Sequence, residues 1–247
     1  MHSISIMVPW WKIFLLILLS LIIVAGWYGY RFYRLLRISE DIMARTHAYS
    51  LVWRSGTTLL VLGDSTAVGV GAENPEESIA WQLSKYIRAS EVENQWVSWA
   101  IVSDVARQVA LARAKEYDYI LLQIGGNDMT RLHDLMKVSK DYESLISSLP
   151  KHKYLIVMSC GNLGGARIFP RFIGYIYERI SRSYHAKFRE IVIWYGGIYI
   201  DIFDERAVDP FIRNPGSYLA ADLFHPSSLG YEYWFSKVTA QIWPQKN

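Results

Sequence analysis

Apolar and polar positions fall into two regimes along the chain. From Ile13 to Tyr30, eighteen consecutive residues carry no charge. As a helix rising ~1.5 Å per residue this run spans about 27 Å, close to the hydrocarbon thickness of a bilayer. Trp10 and Trp11 precede it and Trp27, Tyr28 and Tyr30 close it, as aromatic anchors at two membrane interfaces would. The pattern predicts an N-terminal transmembrane helix, with residues 1–30 as a membrane anchor. The competing reading is a cleaved signal peptide, for which Val24-Ala25-Gly26 offers a small-residue site followed by bulky Trp27. Residues 31–55 then mix charges and aromatics, with Leu35, Leu36, Ile38, Ile42 and Met43 near helical spacing, and predict a helical connector.

After the connector the rhythm changes. Apolar runs at 58–62, 96–102, 119–124, 154–158 and 198–203 read as five strands. Amphipathic stretches between and after them predict helices at 76–89, 105–115, 135–148, 172–193 and 227–243. Such alternation is that of a parallel sheet covered by helices, an α/β architecture, and it places a single domain over residues 56–247. In open α/β sheets, ligands sit outside the carboxyl ends of the strands. The loops there are rich in small and polar residues: Gly63-Asp64-Ser65-Thr66, Ser103-Asp104, Gly125-Gly126-Asn127-Asp128 and Cys160-Gly161-Asn162, with Asp222-Leu223-Phe224-His225-Pro226 later.

Composition narrows the functional classes. With 247 residues, the chain has room for one membrane segment and one globular domain. Its net charge of +3 is spread along the chain without a dense Lys/Arg cluster, which argues against nucleic acid as a partner. Positive charge does follow the span, at Arg31, Arg34, Arg37 and Arg45 against Lys12 before it, and this bias places a single-pass protein's domain on the cytoplasmic side. An extracytoplasmic domain stays open, because the N-terminal tail is short. The six histidines are scattered and the lone Cys160 follows an apolar run, so the sequence suggests neither a metal site nor a cysteine nucleophile.

Serine is a weak nucleophile unless a base lies within hydrogen-bond reach and a third group orients that base. Ser65, His225 and Asp222 supply these residue types in loops expected at one sheet edge. The spacing of Asp222, three residues before His225, lets a carboxylate reach Nδ1 while Nε2 faces the serine. Asn127 offers a side-chain amide for developing oxyanion charge, with the main-chain N–H groups of Ser65 and Ser103 as further donors. Asp64 reads as a brace of its loop, together with Gly63 and Gly126. Two rival motifs are weaker. Gly69-Val70-Gly71 lacks a third glycine, at Asn74, for a dinucleotide loop, and no Gly-x-Ser-x-Gly elbow is present. Phe169 and Phe172 flank the loop after the fourth strand as core residues or as the lining of an acyl pocket. Trp194, Tyr195 and the aromatics of 231–235 read as sheet cover or membrane-proximal surface.

Gly63-Asp64-Ser65, Gly125-Gly126-Asn127-Asp128 and Asp222-x-x-His225-Pro226, in this order over residues 57–231, resemble the blocks of the SGNH/GDSL hydrolases. The resemblance implies a flavodoxin-like three-layer α/β/α sandwich and an esterase or lipase needing no cofactor. It implies Ser65 as nucleophile, His225 as base, Asp222 as its orienting acid and Asn127 as an oxyanion donor. Two positions depart from the family's pattern: Thr66 follows the serine, and Ser103 stands where the second block carries a glycine. The expectation is a membrane-anchored ester hydrolase acting through an acyl-enzyme, with a lipid-derived ester as substrate. The alternatives are an O-acetyl esterase on envelope carbohydrate and a catalytically idle, membrane-tethered binding module.

Overall fold

The computed structural model describes residues 9–51 and 56–242. The end of the connector at 52–55, and Trp243 at the close of the last expected helix, lie outside the described residues. Five strands, β1 (Thr58–Gly63), β2 (Glu91–Asn94), β3 (Glu116–Gln123), β4 (Lys151–Met158) and β5 (Ile198–Ile200), form one parallel sheet in the order β2-β1-β3-β4-β5. This is the doubly wound order that reverses between β1 and β3, and ligand crevices of such sheets open at that reversal.

Alternation along the strands divides the core in two. Leu60, Leu62, Ile120, Leu122, Leu155 and Val157 point to one face. Leu59, Val61, Leu121, Ile156, Met158 and Ile200 point to the other. Parallel register aligns them, Leu60 against Ile120 and Leu121 against Ile156, so each face presents a continuous apolar layer. The first face is covered by α4 (Val105–Ala110), α6 (Leu135–Ser148) and α7 (Gly174–Trp194), with Tyr142 of α6 stacked on Phe188 of α7 at 4.0 Å. The second is covered by α3 (Ile79–Tyr86) and α10 (Ser228–Ile242). Four short helices, α2 (Ser65–Val68), α5 (Gly126–Thr130), α8 (Pro210–Arg213) and α9 (Pro215–Tyr218), lie in the connections. The expected three-layer sandwich with a five-stranded parallel sheet is therefore observed.

Strands β3 and β4 begin three residues before their apolar runs, at polar Glu116 and Lys151, and one strand lies elsewhere than expected. The apolar run 96–102 is not a strand: Trp99 turns into the left-handed region at φ 61°, and Val102 enters a 3-10 turn that buries it from the loop. The strand is Glu91–Asn94, an edge strand whose buried Glu93 accepts from the Tyr117 hydroxyl at 2.7 Å and the Arg113 main chain at 3.0 Å. Partnered burial of an acid erases the apolar signature of a strand. The same bonds draw residues 111–115 off helix α4, which ends at Ala110 rather than 115. Residues 76–89 divide at Ser78, whose hydroxyl caps α3 by accepting from Trp81 N–H at 3.2 Å. At the other edge β5 ends at Ile200, because the Asp201 N–H turns to the Gln241 side chain at 2.9 Å.

A continuous helix α1 (Trp10–Arg45) carries both the apolar run and the periodic positions beyond it. It is long and apolar enough to cross a membrane. Its residues from Ile13 to Val24 are exposed, whereas Leu35 packs with Ala166 and Ile168 beside Phe169, Leu223 and Phe224. The second half of α1 thus rests on loops at the carboxyl edge of the sheet.

Since Leu121 is fully buried at the centre of the sheet, Leu121→Ala is expected to cost about 2–5 kcal/mol by chemical unfolding. Leu111→Ala, at an exposed position, is expected to stay within about 0.5 kcal/mol. Equal effects would contradict the assigned core.

Candidate active site

The site begins with a close backbone approach. Gly63 ends β1 at φ +142°, and a Cβ there would lie 1.9 Å from the carbonyl oxygen of Gln123 on β3. Only glycine allows the strands to stay this near. Gln108 of α4 holds the same residue from the side: its Oε1 accepts from Gly63 N–H at 2.8 Å and its Nε2 donates to the Gly63 carbonyl at 2.9 Å. Asp64 then caps α2, accepting from the Thr66 N–H at 2.9 Å and the Thr66 hydroxyl at 2.8 Å. The threonine that departs from the family pattern therefore supplies two of the bonds that fix this loop.

Ser65 opens α2, buried, with its hydroxyl 2.8 Å from Nε2 of His225. Nδ1 of His225 lies 2.5 Å from Oδ2 of Asp222. The other oxygen of Asp222 accepts from the N–H groups of Phe224 and His225, each at 3.0 Å. These bonds hold a tight turn in which Leu223 takes φ +57°, a conformation costly for a branched residue unless its surroundings enforce it. Gly71 lets the chain pass here: a Cβ would lie 2.3 Å from the Pro226 carbonyl oxygen. The pair Gly69 and Gly71 thus serves a helix end and a close approach.

Asn127, in α5 after β3, is buried and donates from Nδ2 to the Ala100 carbonyl at 2.9 Å, which leaves one amide proton free. Its neighbour Asp128 accepts from the Val102 N–H at 3.0 Å and pairs with His133 at 3.2 Å. Together they tie the loop 100–104 to α5. Ser103 sits on that loop, in the 3-10 turn Val102–Asp104, with its side chain exposed and outside the lining of the cavity beside Ser65. Gly126 packs against Cys160, to which a Cβ would come within 3.3 Å.

Electrostatics separate the two buried acids of the loops. For Asp222, burial favours the neutral form, but the His225 contact and the two main-chain N–H groups outweigh it and hold the carboxyl below its ordinary value. For Asp64, burial dominates over the Thr66 bonds and raises the carboxyl to about 6. Burial also pushes the Cys160 thiol upward, away from a reactive thiolate.

A cavity of about 60 Å³ opens at Ser65, bounded by Asn127 and His225 and by apolar Leu163, Phe211, Phe224 and Trp234. Neither Phe169 nor Phe172 lines it. Phe169 stacks on Tyr177 at 4.6 Å and on Phe32 of α1 at 6.2 Å, and Phe172 is exposed. Phe211 and Gln108 carried no sequence signal: the first lies in a long connection, and a glutamine on a helix reads as solvated. Trp234, expected as sheet cover or membrane-proximal surface, is buried on the sheet and also lines the cavity. With Nδ1–H directed at Asp222, Nε2 is the acceptor for the Ser65 hydroxyl, an arrangement able to draw off its proton as oxygen attacks a carbonyl.

The sequence matches the GDSL-like Lipase/Acylhydrolase family over residues 61–233. Among solved structures, phospholipase A1 from Streptomyces albidoflavus NA297 is 14% identical with a TM-score of 0.56, over 76% of this chain and 100% of its own. A catalytic mutant of an acetylxylan esterase from Geobacillus stearothermophilus is 19% identical with a TM-score of 0.55, over 77% and 95% respectively. A member of the lipolytic protein G-D-S-L family from Veillonella parvula DSM 2008 is 16% identical with a TM-score of 0.59, over 74% and 97%. No curated protein matches the sequence. At such identities the structural likeness carries the fold, while the match over residues 61–233 carries the family: this chain belongs to the GDSL-like lipases and acylhydrolases.

Proposed function

We propose that the protein is a membrane-anchored serine ester hydrolase. The observation that carries the reading is the hydrogen-bonded sequence Ser65–His225–Asp222, at 2.8 and 2.5 Å, opening on a cavity that also presents Asn127. In the proposed reaction Ser65 Oγ bonds to the ester carbonyl carbon as its proton passes to His225 Nε2. Oxyanion charge is met by the Ser65 N–H and the free amide proton of Asn127. The tetrahedral intermediate collapses, the ester C–O bond breaks and the alcohol leaves with the proton from His225. Water, deprotonated by the same imidazole, then releases the acid and restores Ser65.

Two substrate readings follow from different observations. The long unburied half of α1 supports a membrane tether, which brings lipid-derived esters within reach, and the arginines after it favour a cytoplasmic domain. The small cavity, about 60 Å³, supports a short acyl group such as acetyl. An O-acetyl ester on envelope carbohydrate would need the domain to face outward, so protease access in intact cells and spheroplasts separates the two topologies.

Asp64 adds a pH dependence. Its carboxyl titrates at about 6 when folded, against an ordinary value of 3.8. The folded state therefore holds this proton more tightly, and stability declines as pH rises from ~4 through ~6, by about 3 kcal/mol at most.

Purified full-length protein is expected to hydrolyse p-nitrophenyl acetate, with Ser65→Ala at least ~10⁴-fold slower and Asn127→Ala lowering kcat by about 10²–10³-fold. Undiminished turnover by Ser65→Ala would refute the mechanism, and rates that rise with acyl length would favour the lipid reading over acetate. In urea unfolding, Asp64→Asn is expected to gain on the wild type by about 2–3 kcal/mol between pH 4 and pH 7.5. A difference that stays constant with pH would show that Asp64 is not a buried acid with a raised pKa.

A further inference from the structure

Where α1 leaves the domain, a groove of about 380 Å³ opens between the helix and the loop that follows β4. Trp27, Tyr28 and Phe169 wall it, and three arginines, Arg31, Arg167 and Arg171, line it. Arg31 crosses the junction and donates to the carbonyl oxygens of Ile168 at 3.2 Å and Arg167 at 2.5 Å. Arg167 donates from Nη2 to the Ile212 carbonyl at 2.8 Å, while its Nε is buried with no hydrogen-bond partner.

Among the described residues no carboxylate oxygen lies within 4.0 Å of Arg31, Arg167 or Arg171. Arg206, which also acts on Arg167, is different: Glu178 answers it at 2.6 Å. Asp209 is the acid felt by Arg167, but one of its oxygens is engaged by the Phe211 N–H at 2.8 Å. Burial and the Arg171 and Arg206 charges bring the Arg167 guanidinium below its ordinary value, the direction expected where cations gather without an anion.

The position of the groove selects the anion. The half of α1 before Trp27 is exposed throughout and apolar enough to span a bilayer, so Trp27, Tyr28 and Arg31 fall where headgroups lie. Phe172 packs edge-on against Tyr28 at 6.4 Å, and both Phe172 and Ile176, nearby in sequence, are exposed. Planar guanidinium forks match the paired oxygens of a phosphate, and the aromatic walls suit the glycerol and upper acyl region. The groove also adjoins the site: Leu223 lines it, and the next residue, Phe224, lines the cavity beside Ser65.

We propose that this groove binds the phosphate of an anionic phospholipid in the leaflet beside the domain, through Arg31, Arg167 and Arg171. The inference rests on the membrane-anchored reading and does not depend on turnover at Ser65.

The test uses the full chain in nanodiscs of equal dioleoylphosphatidylglycerol and dioleoylphosphatidylcholine, with native mass spectrometry of the lipid retained on the protein. Phosphatidylglycerol is expected to be retained about tenfold over phosphatidylcholine, and the Arg167→Gln/Arg171→Gln double variant to fall to near parity. Arg34→Gln, an exposed charge outside the groove, is expected to keep the preference, and millimolar inorganic phosphate is expected not to displace the lipid. Parity in the wild type, an equal loss in Arg34→Gln, or displacement by inorganic phosphate would each overturn the proposal. Failure of the chain to enter the disc would overturn the anchoring and this inference together. Hydrolysis of p-nitrophenyl acetate in the same discs separates the two readings: turnover without lipid preference sinks only the groove, and preference without turnover sinks only the esterase.

Discussion

The close approach of the β1 and β3 backbones at Gly63 and Gln123 sets where every other part of the site stands. No side chain fits between them, since a Cβ on Gly63 would lie 1.9 Å from the Gln123 carbonyl oxygen. The Asp64 N–H donates to that same oxygen at 3.1 Å, and Gln108 clamps Gly63 through both its amide groups. Because the sheet order reverses between these strands, the loops leaving them diverge and a crevice forms. Ser65 stands on one side of it and Asn127 on the other. The Asp222–His225 turn closes the third side, held by two main-chain N–H groups on one carboxylate oxygen and by the passage that Gly71 leaves open.

The parts of this arrangement differ in how far the sequence reveals them. The central, buried parts of strands β1, β3 and β4 sit where apolar runs place them, because both faces of a doubly wound sheet are covered there. The first residues of β3 and β4, 116–118 and 151–153, are mostly polar and gave no strand signal. β2 is hidden for the opposite reason. Its Glu91 and Glu93 read as solvated, and only the fold reveals that the Tyr117 hydroxyl and the Arg113 main chain hold Glu93 in the interior. Ser65, Asp222 and His225 were legible because each lies in a short local motif whose turn chemistry is complete within a few residues. Phe211 and Leu219, which line the cavity, lie upstream of Asp222 in the long connection after β5, and Trp234 comes from α10; none of them belongs to a motif with a readable spacing. Phe169 and Phe172 illustrate the limit of proximity in sequence. Both flank the correct loop, yet α1 draws Phe169 to itself and leaves the cavity wall to Phe224.

Helix α1 connects the site to its surroundings. Its first half is exposed, while its second half packs against Ala166 and Ile168 and is pinned by Arg31 to the main chain. The proposed membrane level and the proposed chemistry therefore meet at one stretch, Leu223 and Phe224, which touches the groove on one side and the cavity on the other. Helix α1 is thereby held against the domain by the packing of Leu35 and the main-chain bonds of Arg31.

The claim on which the account turns is that the Ser65 hydroxyl is the nucleophile and that His225 activates it. Treating the full-length protein with a fluorophosphonate ester and mapping the adduct by peptide mass spectrometry tests this directly. The account predicts one phosphonyl group on the peptide containing Ser65, absent in Ser65→Ala and strongly slowed in His225→Ala. Labelling of another residue at the wild-type rate, or undiminished labelling of His225→Ala, would contradict it.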